Sequence, residues 1–94
     1  MGRCSFENLK DLMPVLSEIR KLEGIKEPKP GIFYFKSQGF LHFHEKDQKI
    51  WADIRDGADW GKPVDVPSKV TAQFLKSFYQ EVFKRYKTQL KGKE

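Results

Sequence analysis

Apolar residues recur every three or four positions at the start of the chain: Leu9, Leu12, Met13, Leu16, Ile19 and Leu22. That spacing predicts a helix over residues 8–24. Asn8 or Asp11 is the expected cap, with a firm start near Asp11, because Pro14 fits only a first helical turn. Gly24 suits the left-handed position past the helix end, with Ile25 as the accompanying apolar contact. Pro28 and Pro30 in the following IKEPKPG favour an extended connection.

From residue 32 the period shortens to two. IFYFK (32–36), FLHFHE (40–45) and IWADIR (50–55) are separated by SQG and KDQK, which predicts three strands in an antiparallel meander. The segment DGADWGKP is expected to be irregular. Val64 to Val66 suit a brief edge strand limited by Pro63 and Pro67. Ser68 is the expected cap of a long helix over residues 69–90. Its apolar stripe is Val70, Phe74, Leu75, Phe78, Val82 and Tyr86. Lys69, Gln73, Lys76, Gln80, Lys84, Lys87 and Lys91 form the opposite stripe. The order α-β-β-β-(β)-α gives an α+β two-layer sandwich, with both helices on one face of the sheet.

Alternation along strands lets the register be argued. With Asp47 and Gln48 at the tip of the second hairpin, Leu41 faces Ile54, Phe43 faces Ala52, His42 faces Asp53 and His44 faces Trp51. A three-residue loop at 37–39, with Gly39 left-handed, completes the first hairpin and sets Tyr34 opposite His42. One face is then apolar: Phe33, Phe35, Leu41, Phe43, Ile50, Ala52 and Ile54. The other carries Ile32, Tyr34, Lys36, Phe40, His42, His44, Trp51, Asp53 and Arg55. An aromatic face of this kind left uncovered on a small protein is expected to meet a partner.

Ninety-four residues suit a single domain spanning 1–94, with residues 1–7 and 91–94 frayed. The net charge is +5, and its placement is uneven. Residues 68–94 hold seven Lys/Arg against two Asp/Glu, whereas the rest of the chain is balanced. One cysteine, Cys4, excludes an internal disulfide and a Cys-based zinc site. No apolar run reaches membrane-spanning length. The start MGRCSFENLK has no apolar leader core, and Phe6 stands where myristoylation needs Ser or Thr. A cytoplasmic protein is the expectation.

Four uses of the outer face follow from its residues. His42 and His44 point to one side of their strand and, with Asp53, make a candidate site for a divalent metal; otherwise no cofactor is expected. His42 oriented by Asp53, with Tyr34 as proton donor, makes a candidate acid–base set, and Trp60 in the 57–63 loop is its candidate lid. Tyr34, Phe40 and Trp51 as stacking platforms, with Lys36 and Arg55 on phosphates, would suit nucleic acid. Asp53, Glu45 and Asp56 oppose that reading, and the glycine-containing basic segment expected before the second helix of a double-stranded-RNA-binding domain is missing from KPVDVPSKVTAQ. Two copies packing these faces together would form an isologous dimer.

The run PGIFYFKSQGFLHFHEKDQKIWADIR, residues 30–55, resembles a group of small bacterial proteins of unknown function. They share Gly-x-Phe-Tyr (here 31–34), Phe-Leu-His-Phe-His-Glu (40–45) and Ala-Asp-x-Arg (52–55). The resemblance covers the sheet. It implies a bacterial, intracellular setting and carries over no catalytic residue. The expected role is partner or ligand binding through Tyr34, Lys36, Phe40, His42, His44, Trp51, Asp53 and Arg55, rather than catalysis.

Overall fold

Pro14 decides where the first helix becomes regular. In a computed structural model, which describes residues 9–92, a 3₁₀ turn at Lys10–Leu12 leads into α1, Met13–Arg20, and places Pro14 in its first turn. There the missing amide N–H has no intrahelical bond to lose. Asp11 caps neither segment, and the Asn8 alternative lies outside the described residues. Gly24 takes the left-handed conformation at φ 86°, and Ile25 N–H donates to the Leu22 carbonyl at 3.1 Å. A Cβ at Gly24 would fall 2.7 Å from the Phe35 ring, so the position requires glycine twice over.

Six strands follow: β1 Ile25–Lys29, β2 Ile32–Phe35, β3 Gln38–Lys46, β4 Lys49–Asp56, β5 Asp59–Trp60 and β6 Val64–Val66. All pairings are antiparallel, in the order β1-β2-β3-β4. The outer edge of β4 is divided, with β6 on residues 50–52 and β5 on residues 55–56. α2, Ala72–Gly92, closes the fold. It starts later than Ser68, because the hydroxyl that accepts the Phe74 amide, at 3.0 Å, belongs to Thr71. The helix runs through residues 91 and 92, where the sequence suggests fraying; the other positions expected to fray fall outside the described residues.

The α+β, antiparallel, helix-on-one-face reading holds, and so does the register of the second hairpin. Leu41, His42, Phe43, His44 and Glu45 face Ile54, Asp53, Ala52, Trp51 and Ile50. The first hairpin differs. Its turn is Lys36-Ser37, both left-handed at φ 49° and 73°, so Phe35 pairs with Gln38 and Tyr34 with Gly39. The register then shifts, and Phe33 meets Leu41 while Ile32, not Tyr34, faces His42. Phe40 is the extra residue of this bulge. It is 0% exposed and edge-on to Tyr86 at 6.4 Å, so the outward position expected for it is corrected: Phe40 belongs to the core.

The core is one cluster. Leu12, Val15, Leu16 and Ile19 of the first helical segment and Phe78, Val82 and Tyr86 of α2 cover Phe33, Phe35, Leu41, Phe43, Ala52 and Ile54. Burying this apolar surface is the main term that stabilises the sheet in its two-layer form. The lysine stripe of α2 is exposed, on the layer opposite the outer sheet face.

Candidate functional site

Because the helices occupy one face of the sheet, alternation turns Tyr34, His42, His44, Trp51, Asp53 and Arg55 to the other. β5 adds a residue to that set. Asp56-Gly57 begins a tight turn, with Gly57 at φ 77°, and the chain returns so that Trp60 pairs with Arg55. The indole lies over His42, ring centroids 5.0 Å apart. A Cβ at Gly39 would stand in ordinary contact with both His42 Nε2, at 3.4 Å, and the Trp60 ring, at 3.5 Å, so Gly39 lies directly against the pair.

Arg55 fastens this arrangement. Its Nε donates to the Gly39 carbonyl at 2.6 Å and its Nη1 to the Ala58 carbonyl at 2.9 Å. Its guanidinium carbon stands 4.6 Å from the Trp60 ring centroid. Arg55 is thus committed to its own chain, which counts against its expected use as a phosphate contact. Lys36 sits in the turn rather than on the face, with Nζ 5.4 Å from the Phe35 ring centroid.

The two histidines divide. His44 Nε2 lies 3.0 Å from Asp53 Oδ2 and its ring stacks on Trp51 at 5.5 Å. Asp53 therefore reaches the diagonal histidine rather than His42 directly opposite. His42 Nε2 is buried and has no hydrogen-bond partner. Burial pushes the His42 imidazole below its ordinary titration range; His44 and Arg55 push the same way, and Asp53 opposes them.

His42, His44 and Asp53 do not converge on a shared point, and among the described residues no three His, Cys, Asp or Glu side chains make a group able to hold a metal ion. The acid–base pair that does form is His44–Asp53. Tyr34 is 6.4 Å from His42, ring to ring. Two clefts lie away from this pair. One of about 770 Å³ runs between Asp11, Glu45, Asp65 and Val70; the other, about 560 Å³, is walled by Lys26, Pro28, Tyr34 and Lys36. The basic stripe of α2 and the aromatic sheet face point to opposite sides of the domain.

Sequence reasoning missed β1 and β5, and with β5 the strand pairing that places Trp60. The Asp-Gly pair at 56–57 is the signal that could have found the β5 hairpin. Arg85 and Gln89, polar yet buried, lie at helical spacing from Phe78 and Val82, and that spacing is their only sequence mark.

No helix among the described residues is long and apolar enough to cross a membrane. The chain matches no family model, no curated protein and no solved structure.

Proposed function

We propose that the protein is a binding module that pairs with a second copy of itself through the outer sheet face. One observation carries this reading. Tyr34 and Trp60, 37% and 42% exposed, stand together on the open face around His42, on a sheet whose other face is filled by core. Large aromatics held on a flat, rigid surface lose little side-chain entropy when covered, which makes them good interface anchors. The charges there are of both signs, as a self-complementary face requires.

Size limits strength. Strand spacing and rise give a face of roughly 20 Å by 20 Å. A pair would bury on the order of 800–1,000 Å², the lower end of specific contacts, so the association is weak and concentration-dependent. A cytoplasmic, bacterial setting is part of the proposal. Sedimentation across a concentration series tests it. The native chain should move toward dimer as concentration rises, and Tyr34→Ser with Trp60→Ser should stay monomeric. A native chain that is monomeric at millimolar concentration rejects the reading.

The His44–Asp53 contact supports a second reading, acid–base catalysis on the same face. Its mark would be a turnover abolished by His44→Ala and Asp53→Asn yet kept by His42→Phe.

A further inference from the structure

A buried imidazole nitrogen with no partner is an unusual thing to keep on the open side of a sheet. Buried polar atoms are nearly always satisfied, and one left unsatisfied calls for a reason. His42 Nε2 is buried where Gly39 and the Trp60 indole meet the imidazole, the two rings 5.0 Å apart and tilted by 52°. A neutral imidazole tolerates that seat, since its acceptor form leaves a single lone pair unmet. A protonated one does not, because both its nitrogens then carry N–H groups that need an acceptor.

The groups facing His42 offer Nε2 no hydrogen-bond acceptor, although the charge of Asp53 favours the protonated ring. Its neighbour on β3 is His44, at 6.1 Å between rings. From β4, Asp53 is bound to His44, and Arg55 is itself a cation. From β2, Tyr34 presents a ring tilted at 50°, and β5 presents the indole, which offers a cation–π attraction but no acceptor for an N–H.

Beyond the Arg55 contacts and the Gly61 amide bond to Ile54, little of the molecule holds the cover. β5 has two residues, both exposed, pairs with β4 only through Arg55 and Asp56, and contributes nothing to the core cluster. Elements with little buried apolar surface open first.

We propose that Trp60 is an acid-released cover: protonation of His42 swings the indole and its two-residue strand off the sheet and exposes Nε2 to water. The inference does not depend on what binds the face. Opening reshapes the surface between Tyr34 and Arg55 while the core stays packed.

The measurement is proton NMR of the native chain from about pH 8 down to about pH 4, following the His42 ring protons and the nuclear Overhauser cross-peaks between the Trp60 indole and the Gly39 α-protons. Those cross-peaks should be present at neutral pH and vanish as His42 titrates, at a pH below the ordinary imidazole range, while Phe33 and Leu41 signals keep their dispersion. In His42→Phe, or in His42→Asn if the first variant folds poorly, they should persist at acid pH. Three results overturn the proposal: cross-peaks that survive protonation of His42, cross-peaks that vanish on acidification in the variants as well, or cross-peaks that fade only together with the core signals. The spectra are taken at a concentration where sedimentation shows a monomer, so that no second copy holds Trp60 and the two proposals fail separately.

Discussion

Arg85 Nη1 donates to the Ile54 carbonyl at 3.0 Å, and so ties the buried side of α2 to the strand that carries Asp53 and Arg55. The same carbonyl accepts the Gly61 amide at 2.8 Å, just past β5. Helix, central strand and the root of the Trp60 hairpin therefore meet at one oxygen. Arg85→Met should cost about 1–2 kcal/mol in urea unfolding, since Glu81, its other partner, is left near solvent and Ile54 keeps one donor. Gly61→Ala is expected to be as harmful, because its Cβ would fall 2.9 Å from both Arg85 Nη1 and the Asp56 side chain and 3.0 Å from the Ile54 carbonyl oxygen.

Phe40 and Tyr34 separate stability from binding. Phe40→Ala empties a fully buried site and should cost about 3–5 kcal/mol. Tyr34→Ser removes a ring that is more than one-third exposed and should change stability by about 0.5 kcal/mol or less. Its effect is expected in sedimentation instead. Denaturant melts beside sedimentation of both variants make the comparison.

Arg55→Lys keeps the charge and loses the fork that spans the Gly39 and Ala58 carbonyls and the indole. A loss of about 1–2 kcal/mol is expected. The amides of residues 59–61 should lose exchange protection before those of β3 do, as hydrogen exchange would record.

Two groups shape the pH profile. His42 is held below its ordinary range in the folded chain, so the unfolded chain takes up its proton first. Stability should fall as pH drops through the usual imidazole range, and His42→Phe should flatten that limb. Tyr86 is held above its ordinary range, by burial first and then by Glu23. Its hydroxyl donates to the Glu23 carbonyl at 2.5 Å. There the unfolded chain loses its proton first, so stability should also fall above about pH 10, and Tyr86→Phe should remove that slope. Unfolding free energy measured across pH tests both limbs.

The second hairpin is legible in the sequence because a tip at Asp47 and Gln48 sorts the two alternating runs cleanly into an apolar and a polar face, and both residues take left-handed backbone. The first is not, because Gly39 looks like the left-handed residue while Lys36 and Ser37 take that role without a glycine to mark them. The displaced residue is absorbed by a bulge, which turns Phe40 inward and leaves its neighbours in phase. β1 is hidden by Pro28, which an edge strand accommodates. The polar-aromatic face is thus readable nearly whole, whereas its cover is not. Trp60 is recognisable as a lid candidate, but the pairing that lays it on His42 depends on a two-residue strand too short to leave a periodicity.

Among the described residues, the borders of the sheet are short or interrupted. On one flank β1 carries Pro28, with Lys26 and Lys29 exposed; on the other, β5 and β6 are two and three residues long, and prolines bound β6 at Pro63 and Pro67. Strand-by-strand growth from either flank is blocked by missing donors, charge and brevity. Copies that meet face to face consume the surface that joined them. On the face-to-face pairing proposed above, association would therefore close at a finite number of copies.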